Sequence, residues 1–189
     1  MANVKLSQAE MELVTNAEII LTKNRIIEKV YELFGNLSEQ YKMIVVKSNL
    51  PEEVISISPK ISKGEYYENL PWVMLDYPRY FKEKDFFGIR TFFWWGNFFS
   101  ITLHLKGKYR EQLEILNSKF QIDDWFICVN EDEWQHHFGA DNYLPLFSLT
   151  QEQMEKLPFI KLAAKISLQN WSEAEKKLAD AFHQLIQLF

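Results

Sequence analysis

The residues of this sequence that could carry chemistry fall into one histidine-containing loop and one aromatic-rich stretch. His136 and His137 follow the acidic run that ends at Glu133. On a helix, Glu133 and His137 would lie one turn apart on the same face, and carboxylate with imidazole suits Zn, Fe or Mn. We therefore interpret His136, His137 and Glu133 as a candidate metal site, with His104 or His183 as a further ligand. The alternative is a solvated acidic loop with two exposed imidazoles.

Other catalytic signatures are absent from the sequence. The six glycines are scattered and form no phosphate-binding loop, and no G-x-S-x-G motif occurs. Cys128, the only cysteine, lies in the apolar run WFICV and is expected to be a buried structural thiol. The sequence therefore identifies no cofactor and leaves open whether the protein is an enzyme.

Residues 86–105, FFGIRTFFWWGNFFSITLHL, predict a β-hairpin around which the sheet is built. Aromatic, Ile and Thr side chains fit a pleated, half-buried surface, and Gly96-Asn97 is a typical hairpin turn. The second strand alternates strictly between an apolar set and a polar set: Phe99, Ile101, Leu103 and Leu105 against Ser100, Thr102, His104 and Lys106.

The register of this hairpin depends on the length of its loop. A two-residue loop at Gly96-Asn97 would put Arg90 on the apolar face. A three-residue loop would pair Trp94 with Phe98 and place Arg90 among the polar residues. We expect the three-residue loop, because it separates polar from apolar side chains better and burial selects the register. Asn97 would then adopt a left-handed backbone, which Asn tolerates.

In that register, the second face of the hairpin is a candidate binding site. It combines aromatic rings with a few polar groups, the composition that a small-molecule site needs. The candidate ligand-binding residues are Arg90, Phe92, Trp94, Phe98, Thr102 and His104. The same set would also describe a sheet face half covered by a helix, with its polar groups reaching water at the edge.

The N-terminal 47 residues predict a helical segment. Ser7 and Glu10 form a capping box, and apolar residues recur at helical spacing beyond it. Ile20, Ile27, Phe34 and Tyr41 are each seven residues apart, as in a coiled coil, but Gly35-Asn36 is expected to break the helix. We favour an amphipathic helix pair packed on the sheet. The alternative is a helical dimer interface.

The remaining elements complete an α+β fold. Further strands are predicted at residues 55–62 (an edge strand or one broken at Pro59), Trp72–Asp76 (ended by Tyr77-Pro78), Trp125–Val129 (central and buried) and 159–168. A loop is predicted at residues 61–71. A turn that an Asp76–Arg79 ion pair could close is predicted after the strand Trp72–Asp76. Further helices are predicted at 108–119, after Thr150, and from Asn170 or Ser172 to the C-terminus. We expect one domain, residues 1–189, with an antiparallel sheet, N-terminal helices, one helix inserted after the hairpin and one at the C-terminus.

Composition limits the classes of partner. A net charge of −5 argues against a general nucleic-acid binder. No apolar run approaches the roughly 20 residues that span a membrane, and we see no signal peptide. A single cysteine suits a reducing compartment, so we expect a cytoplasmic protein.

Three functions from different classes remain. The first, which we favour, is a non-enzymatic binding or interaction domain that uses the aromatic face for a small-molecule ligand or a protein partner. The second is a metal- or haem-dependent enzyme that uses the His136/His137 region. The third is a structural homodimer held by the N-terminal helices.

Overall fold

The computed structural model describes residues 4–111 and 124–189, and it confirms the α+β fold with an antiparallel sheet. The helices in these residues are α1 Gln8–Thr15, α2 Ala17–Val45, α3 Glu52–Ile55, α4 Lys108–Glu111, α5 Gln151–Glu155 and α6 Trp171–Ile186. The strands are β1 Lys60–Tyr67, β2 Leu70–Phe81, β3 Phe86–Trp94, β4 Phe98–Lys106, β5 Phe126–Cys128, β6 Tyr143–Pro145 and β7 Ile160–Ser167. They form one sheet in the order β1-β2-β3-β4-β7-β5-β6, with antiparallel neighbours throughout.

The hairpin of β3 and β4 has the predicted three-residue loop. Trp94 is paired with Phe98, which places Arg90 on the polar face. The left-handed residue of the loop is Gly96, with φ of +73°, so the prediction for Asn97 was wrong. Glycine has no Cβ to clash in this conformation and adopts it at little cost. Asn97 instead donates its backbone N–H to the carbonyl of Trp94, over 3.0 Å.

Helices α2 and α6 cover one face of the sheet and form the main core with it. The fully buried side chains of this layer include Phe34, Leu37, Val73, Leu75, Phe87, Phe99, Ile101, Leu103, Leu162, Leu178 and Phe182. The ring of Tyr41 in α2 stacks on Phe182 in α6, with centroids 3.7 Å apart. Its hydroxyl lies 3.0 Å from Thr91 Oγ1, so the one buried polar side chain of β3 on this face is hydrogen-bonded.

The N-terminal helices differ from the prediction at their break. The Ser7 capping box is confirmed, but the chain stays helical through Gly35-Asn36 and breaks instead at Asn16, whose side chain caps α2. Phe34 and Leu37 are fully buried on either side of Gly35. Their packing outweighs the penalty of about 1 kcal/mol for a glycine inside a helix.

The edge of the sheet also differs from the prediction. Residues 55–58 are not a strand, because α3 forms at Glu52 with two glutamates in its first turn, where the helix dipole favours them. β1 begins only after Pro59 and occupies most of the predicted loop. It joins β2 through a two-residue turn at Glu68-Asn69, both left-handed, a pair that lacks the glycine of a typical hairpin turn.

β2 continues past the point where Pro78 was expected to end it. The register of its pairing with β3 shifts between Asp76 and Arg79, so Pro78 falls in a bulge and need not donate to the ladder. The predicted Asp76–Arg79 ion pair is wrong: Arg79 Nε donates to the carbonyl of Ser58 over 2.9 Å, and Asp76 pairs with Arg90.

The C-terminal half follows the prediction more closely. β7, the capping box of α5 at Thr150 and the C-terminal helix α6 are all confirmed. β5 is a strand, but it lies next to the edge strand β6 rather than at the centre. α4 begins where the helix 108–119 was predicted, and residues 112–119 lie outside the described residues. Among the helices of residues 4–111 and 124–189, none is long and apolar enough to cross a membrane.

The Tyr41–Thr91 hydrogen bond, which joins α2 to the sheet, should contribute about 1 kcal/mol to the free energy of unfolding. We expect Tyr41→Phe to lower the free energy of unfolding by about 1–2 kcal/mol, because Thr91 would be left without its partner in the core. Thr91→Val should also destabilise, and the double variant should lose about 1 kcal/mol less than the sum of both. Urea denaturation measures all three. Tyr66→Phe, at an 86% exposed site, is the control, and strict additivity would contradict the coupling.

Candidate functional site

The face of the sheet opposite the helices is covered by the connection between β5 and β6. This covering loop, residues 129–142, lies across β3, β4 and β7. The ring of Phe138 packs edge-on against Phe98, with centroids 5.1 Å apart, and Trp134 packs against Phe86 at 5.8 Å. The cover expected from the sequence was a helix, whereas the observed cover is an irregular segment.

Side-chain hydrogen bonds to the backbone explain why the covering loop is not helical. Asn130 Oδ1 accepts the N–H of Asp132 over 2.8 Å, and Asp132 Oδ1 accepts the N–H of Trp134 over 2.9 Å. Such local bonds offer the backbone an alternative to the helical pattern. The one-turn spacing that would bring Glu133 to His137 is therefore not formed.

The six predicted ligand-binding residues do lie on one face, but they do not form one open site. Phe92, Trp94, Thr102 and His104 are each at most 7% exposed beneath the covering loop and Tyr67. The structure divides the six into two groups. Phe92, Trp94 and Phe98 pack together with Tyr67 and Phe138, whereas Arg90, Thr102 and His104 belong to a buried polar cluster.

This polar cluster consists of Asp76, Arg90, Thr102, His104, Glu133, His136 and Lys161. Its central ion pair joins neighbouring strands: Arg90 Nε donates to Asp76 Oδ1 over 2.7 Å, and Arg90 Nη2 to Asp76 Oδ2 over 3.3 Å. Asp76 is 6% exposed. A two-point contact satisfies both charges, as a buried ion pair requires.

Lys161 binds the covering loop to the sheet. Its side chain, 1% exposed, leaves β7 on the polar face, and Nζ donates to the carbonyl of Glu133 over 2.8 Å and to that of Gln135. Burial lowers the pKa of the Lys161 ammonium to about 8, so the group is still mainly protonated at pH 7. This cation is held by carbonyls rather than by a carboxylate, and its charge lowers the pKa of both His104 and His136.

His104 and Glu133 face each other at the centre of the cluster. His104 Nε2 lies 3.1 Å from Glu133 Oε2, but neither atom makes a well-directed hydrogen bond within the described residues. The cavity beside them, about 10 Å³, has room for about one water molecule. Burial, helped by the positive charges of Lys161 and Arg90, lowers the pKa of His104 to about 3, so this imidazole is neutral at pH 7.

A cleft opens beside the cluster, where the covering loop meets the end of β1. This aromatic cleft is lined by Tyr66, Tyr67, Trp72, Met74, Phe92, Trp134 and His136, and its volume is about 200 Å³. Trp134 and Tyr66 are 48% and 86% exposed. The hydroxyl of Tyr67 accepts the backbone N–H groups of His136 and His137 over 2.7 and 3.0 Å, which fixes the loop against β1.

His136 is the polar group of this cleft. Its ring lies against Phe92 and Tyr67, with centroids 5.0 and 5.4 Å away. Burial first, then the charges of Lys161 and Arg90, lower the pKa of His136 well below its ordinary value, so the ring is neutral. Nε2 lies 3.5 Å from Arg90 Nη1. Because a guanidinium can only donate, Nε2 accepts and the proton lies on Nδ1, which has no partner in the described part of the chain.

The predicted metal ligands lie in the same loop but face different neighbours. Glu133 contacts His104 and Lys106, His136 faces Arg90, and His137 Nδ1 accepts the backbone N–H of Gly139. Within residues 4–111 and 124–189, no group of three His, Cys, Asp or Glu side chains could hold a metal ion. The cleft is also smaller than the roughly 300 Å³ at which drug-sized sites begin, so a macrocycle such as haem does not fit it.

Sequence reasoning missed several residues of the site. Lys161 was treated as an ordinary strand residue, although alternation already places it on the same face as His104. Asp76 was assigned to an ion pair with Arg79 instead. Trp134 and Tyr67 were not placed at this site, because their contacts depend on how the covering loop folds. The expectation of a buried thiol is met by Cys128, which is 1% exposed and whose pKa is raised by burial.

Neutral His104 makes stability depend on pH. Its pKa is about 3 when folded and about 6.5 when unfolded, so the unfolded chain binds more protons between these values. The free energy of unfolding should therefore fall as pH falls, by about 2 kcal/mol from this residue between pH 7 and 5. Urea denaturation at both pH values measures the effect.

The matched pair of variants is His104→Gln and His183→Gln, because His183 is an exposed histidine on α6. We expect the first to show a smaller loss of stability between pH 7 and 5 and the second to behave as wild type. Equal losses in all three proteins would show that His104 is not buried in its neutral form.

Comparisons of the chain with protein-family models, with curated proteins and with solved structures find no match. A fold by itself does not define a function. Function is therefore inferred from the groups that line the site.

Proposed function

We propose that this protein is a non-enzymatic binding protein for a small planar ligand that carries a hydrogen-bond acceptor. The ligand would lie in the aromatic cleft, with its acceptor on His136 Nδ1. The observation that carries the proposal is this neutral imidazole, which has a free donor and lies among aromatic rings in a concave site. An apolar pocket with one well-placed polar group is the usual form of a small-molecule site.

The walls of the cleft favour a flat ring. Trp134 and Tyr66 flank a floor that includes Phe92 and Trp72. Aromatic contacts in offset or edge-on geometry contribute about 0.5–1.5 kcal/mol each beyond the area that they bury. Trp134 is itself held over the Arg90 guanidinium, 5.7 Å from the ring centroid, which limits its freedom before a ligand binds. The volume of about 200 Å³ suits one or two fused rings.

The charges around the cleft favour a neutral or anionic acceptor over a cation. Lys161 and Arg90 are the two cations that depress the pKa of His136. Arg90 is paired with Asp76, whereas Lys161 is held only by backbone carbonyls. A carboxylate on the ligand ring would therefore lie in a positive field, and an ammonium group would be repelled.

The same groups favour binding over acid–base catalysis. A general base works best with a pKa near the operating pH, and the pKa of His136 is far below it. His104 is 6% exposed and lies under the covering loop, and Cys128 is buried. These residues hold the site together and leave His136 as a hydrogen-bond donor.

The test uses indole-3-carboxylate as the probe and indole as its analogue without the acceptor. Ligand-observed NMR with the full chain should show the carboxylate binding at least about 10-fold more tightly, which is a difference of about 1.4 kcal/mol. Trp134→Ala should weaken the carboxylate about 10-fold, because it removes an aromatic anchor. His136→Phe should remove the preference for the carboxylate over indole.

Phe147→Ala is the matched control, because Phe147 is 67% exposed and does not line the cleft. This variant should bind both probes as wild type does. Binding of neither probe, or equal effects of Trp134→Ala and Phe147→Ala, would overturn the proposal.

A further inference from the structure

The start of the chain carries an exposed apolar surface that includes none of the residues lining the aromatic cleft. Eight of the fourteen exposed large hydrophobic side chains in the described residues lie between Val4 and Leu21: Val4, Leu6, Met11, Leu13, Val14, Ile19, Ile20 and Leu21. α1 buries no residue at all, and the first buried residue of α2 is Ile27. Monomeric proteins rarely expose such a continuous set, which usually marks an interface.

We propose that residues 4–29 bind the same segment of a second copy of this chain. The first observation is continuity: Ile20 lies seven residues before Ile27, and Phe34 and Tyr41 follow at the same interval. The last three are buried against the sheet and α6, whereas Ile20 is 57% exposed. The same apolar stripe of α2 is therefore buried in the core towards the C-terminal end of the helix and exposed to solvent at its N-terminal end.

The second observation is charge complementarity in an antiparallel arrangement. Residues 8–18 contain three glutamates and no lysine or arginine, whereas residues 19–29 contain Lys23, Arg25, Lys29 and one glutamate. In an antiparallel pair, the acidic part of each copy faces the basic part of the other, and a parallel pair would oppose like charges. Within the described residues, Lys23 pairs with Glu65 and Arg25 with Glu18, whereas Glu12 and Lys29 have no ion-pair partner and remain available to a second copy.

The area is consistent with a dimer of moderate affinity. A fully exposed aliphatic side chain contributes on the order of 100 Å² of apolar surface, so the eight residues expose roughly 450 Å² per copy. Two copies would bury at most roughly 900 Å² before polar atoms are counted, because consecutive residues such as Ile19, Ile20 and Leu21 point about 100° apart on a helix. This area lies below the roughly 1,200 Å² at which stable interfaces begin. We therefore expect dissociation in the micromolar range.

The charges also favour a protein partner over a membrane surface. Helices that lie on anionic lipid carry lysine and arginine on their polar face. Here the segment of residues 8–18 has only acidic charges. A second copy supplies the basic surface that this segment needs, whereas an anionic bilayer would repel it.

Sedimentation equilibrium of the full chain tests the proposal. Wild type should change from 22.6 kDa to twice that mass between about 1 and 100 µM, the range expected for an interface of this size. Ile19→Gln with Ile20→Gln should weaken association at least about 10-fold, because it removes two exposed apolar contacts without touching the core. Met43→Gln, at a 62% exposed site near the other end of α2, should leave association unchanged.

Orientation is tested with a short bis-maleimide on chains that carry Cys128→Ser. Ile20→Cys should cross-link two copies efficiently and Met43→Cys should not, because only the N-terminal ends of α2 meet in the antiparallel arrangement. A wild-type mass of 22.6 kDa throughout the concentration range would overturn the proposal, as would unchanged association of the Ile19/Ile20 variant. A monomer that floats with anionic phospholipid vesicles would overturn it in favour of a membrane surface.

Discussion

The hydrogen bonds from Lys161 to the carbonyls of Glu133 and Gln135 are the contacts on which the candidate site depends. Lys161 is 1% exposed, and an ammonium in such a position is destabilising by several kcal/mol unless its donors are satisfied. The covering loop supplies the acceptors. The loop itself keeps its irregular path through the side-chain hydrogen bonds of Asn130 and Asp132. Sheet and loop are therefore stabilised together at Glu133 and Gln135, and the Tyr67 hydroxyl fixes the next two residues of the loop, His136 and His137.

The buried polar groups on the two faces of the sheet find their hydrogen-bond and ion-pair partners in different ways. Towards α2 and α6, burial is almost entirely apolar, and Thr91 is satisfied by Tyr41. Towards the covering loop, buried charges are satisfied within the cluster, by Asp76 for Arg90 and by carbonyls for Lys161. The first face is closed by regular helices. The second is closed by a loop that leaves the aromatic cleft open at its margin.

β1 links the cleft to the N-terminal helices. Lys23 of α2 forms an ion pair with Glu65 of β1, and the next two residues, Tyr66 and Tyr67, line the cleft. Tyr67 also holds the covering loop through its hydroxyl. The edge strand thus contacts both proposed binding surfaces. A second copy bound at the helices would lie on the side of β1 that faces α2, and a ligand in the cleft would lie on the opposite side.

The sequence by itself determined the helices and strands that depend on residues close together in the chain. Residue types and the Gly96-Asn97 turn predicted the hairpin of β3 and β4, and alternation predicted β4 and β7. A better separation of polar from apolar residues predicted the three-residue loop. Capping boxes at Ser7 and Thr150 predicted the starts of α1 and α5. The same patterns placed Arg90, Thr102 and His104 on one face. These predictions succeed because side-chain periodicity and capping depend on residues only a few positions apart.

Tertiary structure alone decided which segment covers that face and which charges meet beneath it. Lys161 and Gln135 are 26 residues apart, and Tyr67 and His136 are 69 residues apart. Packing of Phe34 and Leu37 kept α2 helical through Gly35, against local propensity. A bulge let β2 pass Pro78. In each case the free energy comes from contacts between distant segments, and no local pattern contains that information.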